Sequence, residues 1–188
     1  MSNEYLDWKT DKIQEEKLIV EKYPFLHIRD IEGNIDTESK FPMISLEIPD
    51  GWNKLFFQMC SDIKPILERE GLIYDFYFIQ VKEKYNRLIC YYNNAPKEVE
   101  DIISKYEMMA RYVCCKCGKP AVFETTGYIA SYCDDCFKDY VRHDKGEWIK
   151  FEPQYIKTTW KNGYKQEEII SFKEEWERYV KENGYETV

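Results

Sequence analysis

Two pairs of cysteines are the part of this sequence whose residue types and spacing specify a chemistry. Cys114 and Cys117 form one C-x-x-C pair, and Cys133 and Cys136 form a second pair after fifteen intervening residues. Four thiolates at this spacing suit a tetrahedral zinc ion, because each pair bends the backbone into a knuckle that directs two sulfurs to one point. Gly118 follows the first pair and tolerates the positive φ that a knuckle needs. The sequence therefore predicts one structural Zn²⁺ with these four cysteines as its ligands.

A zinc ion with four protein ligands predicts how the surrounding segment folds rather than a reaction. Sulfur fills all four tetrahedral positions, so water and substrate have no open position and Lewis-acid catalysis is not expected. We therefore expect a protein that is not an enzyme and whose metal stabilises its structure.

The cysteines outside the two pairs indicate a reducing compartment. The chain has seven cysteines, and an odd number of thiols is typical of an intracellular protein. Cys60 and Cys90 fall on apolar patterns and are predicted to be core residues, whereas Cys115 is predicted to be a spectator thiol beside the ligands. Residues 1–12 lack the basic and apolar parts of a secretion signal, and the longest apolar run is far too short to span a membrane. We expect a cytoplasmic protein with no membrane partner.

The charge of the chain disfavours nucleic acid as a partner. The net charge is −8, from 27 basic and 35 acidic residues. Residues 113–145, which contain the cysteine pairs, hold five basic and five acidic side chains and are therefore neutral. Binding to phosphates requires clustered Lys and Arg. A nucleic-acid function stays open, but the zinc segment is not the basic patch expected of a DNA-reading finger.

The patterns along the chain predict an α+β fold with a small mixed sheet. Residues 1–112 are predicted to form an α+β domain around a central hairpin at 74–93, which turns at Tyr85-Asn86 because Asn tolerates left-handed geometry. Apolar residues at helical spacing over 99–113 predict a helix that leads directly into the first cysteine pair. The zinc segment is therefore expected to be joined to the main domain by a helix rather than by a flexible linker.

The remaining patterns divide the chain into two further segments. Residues 113–145 are predicted to form a treble-clef-like zinc segment, in which a knuckle is followed by a hairpin and by a helix whose first turn carries the second pair. A zinc ribbon, with strands after both knuckles, is the alternative. Residues 146–188 are predicted to form two strands and an amphipathic helix over 166–183 that packs on the main domain.

One face of the predicted hairpin is a candidate binding surface. Gln80, Lys82 and Lys84 alternate along one strand, and Arg87 follows the turn, so these side chains could hold a phosphate or the carboxylates of a partner. The alternative is a solvated sheet edge, on which lysines discourage pairing with other strands. Trp52 begins a predicted helix, where it is either a core anchor or the wall of a pocket.

Three of these segments resemble a family of small, largely uncharacterised bacterial and phage proteins. That family carries a D-G-W segment, a Q-V-K-E-K-[FY]-G-G-L-R-[FY]-Y hairpin and a two-knuckle zinc site. The matching residues are Asp50-Gly51-Trp52, the hairpin segment Gln80-Val81-Lys82-Glu83-Lys84-Tyr85 with Leu88 and Tyr91-Tyr92, and Cys114-x-x-Cys117-Gly118. The likeness covers about residues 43–137, and it departs at Asn86-Arg87, where the family has two glycines. The resemblance implies a phage or mobile-element origin and supplies no activity.

Together these observations predict a non-enzymatic binding protein stabilised by zinc. Aromatic residues make up 16% of the chain, and such residues suit the hot spots of protein interfaces. In a phage setting we expect a host or phage protein as partner, with inhibition of a host enzyme or defence system in the host cytoplasm. The alternatives are a nucleic-acid-associated zinc-finger protein, or an enzyme or small-molecule binder with a pocket near Trp52 and the hairpin.

Overall fold

Five helices and eight short strands follow one another along the part of the chain that the structure describes. The computed structural model describes residues 3–143, 146–150, 156–161, 164–169 and 172–185. The helices are α1 (Asn3–Lys22), α2 (Asn53–Arg69), α3 (Lys97–Met109), α4 (Asp134–His143) and α5 (Lys173–Glu182). The strands are β1 (Leu46–Glu47), β2 (Phe78–Glu83), β3 (Leu88–Tyr92), β4 (Phe123–Thr125), β5 (Ser131–Tyr132), β6 (Trp148–Lys150), β7 (Ile156–Lys161) and β8 (Tyr164–Ile169). This composition confirms the predicted α+β class.

The strands form three small sheets. In the first, β1 lies parallel to β2, and β2 is antiparallel to β3. In the second, β4 lies between β5 and β6 and is antiparallel to both. The third consists of β7 and β8 alone, paired from Ile156 with Ile169 to Lys161 with Tyr164. The segment with the cysteine pairs thus shares a sheet with β6, which lies beyond residue 145.

The turn of the first sheet confirms the predicted hairpin. Tyr85 and Asn86 have φ values of 52° and 59°, the left-handed geometry of a two-residue turn that matches the twist of its strands. Lys84 and Arg87 exchange backbone hydrogen bonds on either side, at N···O distances of 2.9 and 3.2 Å. Asn86 therefore adopts the backbone geometry that glycine favours, whereas Arg87 does not.

The main core lies between the helices and the inner face of the first sheet. The apolar positions of α2 recur every three or four residues, so that one face of the helix is buried; its members are Leu55, Phe56, Met59, Cys60, Ile63, Ile66 and Leu67. Phe25, Phe76 and Phe78 pack edge to face, with ring centroids 5.3 to 6.1 Å apart. Cys60 and Cys90 are buried in this core, as predicted.

Helix α3 leads from this core to the cysteine segment. It begins after Pro96, whose fixed φ suits a helix start, and continues through a 3₁₀ turn over Ala110–Tyr112 that ends two residues before Cys114. The predicted helical connection is therefore confirmed. Of the helices in the described ranges, none combines the length and the apolar character that crossing a bilayer requires.

The sequence predicts a helix over residues 166–183, and this prediction is wrong for the first part of that stretch. Residues up to Ile169 form β8, and helix α5 begins only at Lys173. The polar, glutamate-rich composition of this stretch favours a helix locally, but cross-strand pairing with β7 overrides that preference. The Asn-Gly dipeptide at 162–163 is a hairpin signal in the sequence that points to the observed pairing.

Helix α5 packs on the main core. Phe172, Tyr179 and Val180 are buried in the same cluster as the residues of α2 and α3. A polar contact reinforces this packing: the guanidinium of Arg178 donates to the carboxylate of Asp62, which also accepts from the hydroxyl of Tyr106 at 2.6 Å. The C-terminal helix is therefore an integral part of the fold.

Candidate metal centre

The four cysteines of the two pairs lie together in the fold. Their sulfur atoms all lie within 4.8 Å of one another, and all four are free thiols. The sulfurs of Cys117 and Cys133 are 3.5 Å apart. Four sulfurs at 2.3 Å from a tetrahedral ion would be separated by about 3.8 Å. The cluster therefore has the donor set and the size of a four-thiolate metal site.

The first pair lies on a backbone knuckle. The N–H of Cys114 donates to the carbonyl of Lys119 at 2.8 Å, and the N–H of Gly118 donates back to the carbonyl of Cys114 at 3.0 Å. Gly118 has a φ of +79°, which an L side chain rarely adopts. These bonds close a tight loop in which Cys114 and Cys117 present their sulfurs to the same side.

The second pair lies at the start of α4. Cys133 directly precedes the helix, Cys136 occupies its first turn, and the N–H of Phe137 donates to the carbonyl of Cys133 at 2.9 Å. Strands β4 and β5 form a hairpin between the two pairs. A helix rather than a strand follows the second pair, so the element order is that of a treble clef and not that of a zinc ribbon.

The thiols of the cluster differ in acidity. Burial raises the pKa of Cys133 to about 11. The pKa of Cys136 is raised further, by burial and by the neighbouring sulfur of Cys114. Burial opposes ionisation of Cys117 as well, but the Lys119 N–H and the adjacent thiols bring its pKa below the ordinary value. Since metal ligands are thiolates, a metal bound by this cluster would displace the protons of these thiols.

Two glycines bring the knuckle into direct backbone contact with the main domain. The N–H of Gly51 donates to the carbonyl of Cys115 at 3.0 Å. A Cβ atom on Gly51 would lie 2.1 Å from the carbonyl oxygen of Cys114, and a Cβ atom on Gly118 would lie 2.8 Å from the carbonyl oxygen of Gly51. Neither position therefore has room for a side chain. This contact explains why a glycine precedes Trp52 in the D-G-W segment.

Trp52 is a core anchor for the same contact. Its side chain is fully buried, and its indole Nε1–H donates to the carbonyl of Val113 at 3.0 Å. This placement corrects the expectation that Trp52 contributes to a binding surface or to the wall of an accessible pocket. The indole instead supports the backbone one residue before the first ligand.

Helix α5 supports the knuckle from another side. The buried hydroxyl of Tyr179 donates to the carbonyl of Gly118 at 2.7 Å. The hydroxyl of Tyr185 lies 3.5 Å from the carbonyl of Cys117. The knuckle is therefore held by the segment before α2, by the chain from α3 and by α5.

A buried polar network joins the hairpin turn to the cysteine segment. Glu124 on β4 accepts two hydrogen bonds from the guanidinium of Arg111, at 2.7 and 2.8 Å, and one from the side-chain amide of Asn86 at 2.8 Å. The same amide donates to the hydroxyl of Ser131, which donates to the carbonyl of Arg111. Burial opposes the charge of Glu124, but these donors bring its pKa below the ordinary value.

The residues of the predicted binding surface lie in two places. Gln80 and Lys82 lie on the outer face of the first sheet, where Lys82 donates to Gln80 at 2.8 Å and its ammonium lies 5.0 Å from the ring centre of Tyr91. Lys84 and Arg87 lie at the turn and are exposed. The structure therefore brings Gln80 and Lys82 into contact and separates them from the other two.

Several supporting residues could not be identified from local patterns. Gly51 carries a signal, since a glycine directly before a buried tryptophan suggests close approach of a backbone. Arg111, Glu124 and Asn86 carry none, because their partners lie 13 and 38 positions apart in the chain. Cys115 lies outside the sulfur cluster.

Substitution of Gly51 tests the backbone contact. We expect Gly51→Ala to lower the free energy of unfolding by about 3 kcal/mol, because the new methyl group would overlap backbone that cannot move aside. Gly127→Ala is the matched control, since a Cβ atom there meets nothing within 4 Å. Denaturant unfolding of the metal-loaded proteins measures both. Equal stability of the two variants would contradict the proposed contact.

The Glu124 network predicts a pH-dependent contribution to stability. The folded-state pKa of Glu124 lies below its ordinary value of 4.5, so its stabilisation is complete above that pH and is lost as pH falls through the folded-state pKa. We expect Glu124→Gln to cost about 1–2 kcal/mol at neutral pH, and less in acid. The control is Glu147→Gln, at an exposed position. Urea unfolding of all three proteins at several pH values should show a cost that shrinks on acidification only for Glu124→Gln.

Comparisons with family models, with curated proteins and with solved structures find no match for this chain. The resemblance to bacterial and phage proteins therefore stays a prediction. What the protein does is inferred from the geometry of its own residues.

Proposed function

We propose that this protein is a zinc-stabilised binding protein that acts through contact with another protein and not by catalysis. One Zn²⁺ would be held by Cys114, Cys117, Cys133 and Cys136, the four clustered thiols. The main support for this proposal is that backbone carbonyls around the cluster accept hydrogen bonds from the rest of the fold. The donors are the N–H of Gly51, the indole of Trp52 and the hydroxyl of Tyr179. A metal site built in this way fastens two parts of a fold and leaves no coordination position for a substrate.

The outer face of the first sheet supports contact with a protein. This hairpin face consists of Glu47, Gln80, Lys82 and Tyr91. Gln80 donates to the carboxylate of Glu47 at 3.3 Å, and it accepts from Lys82, whose ammonium lies over the ring of Tyr91. The Tyr91 side chain is 45% exposed. An ordered set of polar groups beside an exposed aromatic ring is typical of a protein interface.

The charges of this face favour a protein over a nucleic acid as partner. Glu47 pairs in register with Lys82 across β1 and β2. An acidic and a basic group thus lie side by side on the face, whereas phosphate binding needs clustered cations. The net charge of −8 acts in the same direction.

The partner that we propose is a host or phage protein, and the effect is inhibition of a host enzyme or defence system in the host cytoplasm. Two features support this proposal. The chain resembles phage proteins in its D-G-W, hairpin and cysteine motifs, and its aromatic, acidic composition suits a binder better than a catalyst.

Metal analysis tests the identity and the role of the ion. We expect native mass spectrometry to detect one zinc per chain, and we expect removal of the metal by a chelator to lower the melting temperature strongly, because metal binding contributes directly to folding. Cys133→Ser should lose the metal. Cys115→Ser should keep it, since Cys115 lies outside the cluster. A melting temperature that does not change on chelation would refute the structural role.

Affinity capture tests the binding function. Tagged protein is incubated with bacterial lysate at physiological salt, and the bound proteins are identified and then purified for direct titration. We expect a specific partner whose affinity falls at least about tenfold for Tyr91→Ala, as for a hot-spot residue. Tyr74→Ala is the matched control, because Tyr74 is also exposed but lies outside the hairpin face. The proposal fails when no specific partner is recovered, or when both variants bind like the wild type.

A further inference from the structure

One edge of the second sheet is open. Strand β6 pairs with β4 along one side, and no strand pairs with its other side in the part of the chain that the structure describes. All three residues of β6, which are Trp148, Ile149 and Lys150, are exposed. The edge of a strand presents unpaired N–H and C=O groups, which are a template for pairing with a further strand.

The hydrogen bonds between β4 and β6 indicate which residues present these groups. The N–H of Thr126, at the end of β4, donates to the carbonyl of Glu147 at 3.0 Å. Backbone groups alternate in direction along an antiparallel strand, so that every second residue faces the same neighbour. Since Glu147 faces β4, Ile149 faces it as well. The backbone groups of Trp148 and Lys150 therefore point to the open edge.

Two other sheet edges are occupied by groups of the same chain. At β5, the carbonyl of Ser131 accepts from the N–H of Cys115 at 2.9 Å. At β3, the N–H of Cys90 donates to the carboxylate of Glu107 at 2.8 Å. The outward groups of β6 have no such partner within the described ranges. This edge is therefore the one of the three that offers hydrogen bonds to another chain.

The side chains of β6 suit a packed contact. The ring of Trp148 is 47% exposed, yet it is held edge to face against Phe123 and Phe137, at centroid distances of 5.2 and 5.0 Å. Ile149 lies on the opposite face of the sheet and is 46% exposed. A tryptophan that is fixed on one side and exposed on the other is the kind of anchor that contributes most at protein interfaces.

A second copy of the chain complements this edge in one register. A two-fold axis through Ile149 places Ile149 opposite its own copy and Trp148 opposite Lys150 of the second copy. Outward groups then meet outward groups, so that Trp148 and Lys150 exchange both of their N–H···O=C bonds. On one face an ammonium lies beside an indole, and on the other face two isoleucines meet. An axis through Lys150 would oppose two ammonium groups, and an axis through Trp148 would oppose Ile149 to Glu147.

We propose that two copies of this chain pair through β6 and join their second sheets into one continuous sheet. The contact is antiparallel and is centred on Ile149. It does not rest on the proposed function, because it uses the second sheet whereas the hairpin face belongs to the first. A three-residue edge is small for an interface, so we expect a weak dimer with a dissociation constant on the order of 100 µM.

Sedimentation equilibrium of the metal-loaded full chain tests the dimer. Between about 10 µM and about 500 µM, we expect the mean mass to rise from that of one chain toward that of two. Ile149→Lys would oppose two ammonium groups at the axis, and it should weaken pairing about tenfold. Ile79→Lys is the matched control and should pair like the wild type, because Ile79 is also exposed but lies in the first sheet.

Two results of this experiment would overturn the proposal. One is a chain that stays monomeric over the whole range. The other is a dimer that Ile149→Lys and Ile79→Lys weaken equally or not at all. Both positions are exposed, so both variants should keep the melting temperature of the wild type, which shows that a loss of pairing is not a loss of folding.

Cysteine variants test the register without added charge. Ile149→Cys alone should form a disulfide between copies in a glutathione redox buffer, because the Cα atoms of that pair would lie about 4.5 Å apart. Trp148→Cys and Lys150→Cys should form one when they are mixed and much less of it when they are separate. The wild-type chain in the same buffer reports crosslinking through native thiols, and the dimer band under non-reducing conditions is the readout. Trp148→Cys that crosslinks as well alone as in the mixture would contradict the register and overturn the proposal.

A strand of a different protein is the other occupant that an open edge accepts. In that case the chain is monomeric by itself, and Trp148→Ala weakens binding of the partner that affinity capture recovers. These two results together also overturn the pairing of two copies. If the dimer forms as expected but no protein partner is recovered, the pairing stands and the proposed function is wrong.

Discussion

The structure depends on one close approach between two backbones. The knuckle that carries Cys114 and Cys117 touches the chain at Gly51 so closely that neither Gly51 nor Gly118 has room for a Cβ atom. The start of α2 fixes Gly51 through the buried indole of Trp52, and the sulfur cluster fixes the knuckle. The contact is therefore held in place from both sides. The relative position of the main domain and the cysteine segment follows from it.

The cysteine segment has little core of its own, which explains why it needs several supports. Its buried cluster consists of Cys114, Ala130, Tyr132, Cys133 and Phe137, and two of these, Cys114 and Cys133, are metal-ligand candidates from different knuckles. So small a cluster cannot offset the conformational entropy of the segment, and segments of this kind fold when a metal or a larger domain holds them. Here the larger domain makes this contribution, because the Glu124 network and Tyr179 attach the segment to it.

The sequence predicted the features that short-range spacing determines. The cysteine cluster, the left-handed turn at Tyr85 and Asn86, and the helix leading to Cys114 all follow from residues within a few positions of one another. The contacts that place the site could not be predicted, since Gly51 and Glu124 meet partners distant in sequence. The error at β8 has a similar origin: pairing with β7 decided the conformation of a stretch whose own composition favours a helix.

The carboxylates of this protein have different roles that depend on where they lie in the fold. Glu124 and Asp62 meet arginines within the fold, and Glu107 accepts the backbone N–H of Cys90 at 2.8 Å, so these carboxylates serve structure. Glu47 and Glu83 accept from neutral donors, the side-chain amide of Gln80 and the backbone N–H of Asn86. Glu47 is exposed on the hairpin face, so its charge, unlike that of Glu124, is carried in contact with solvent.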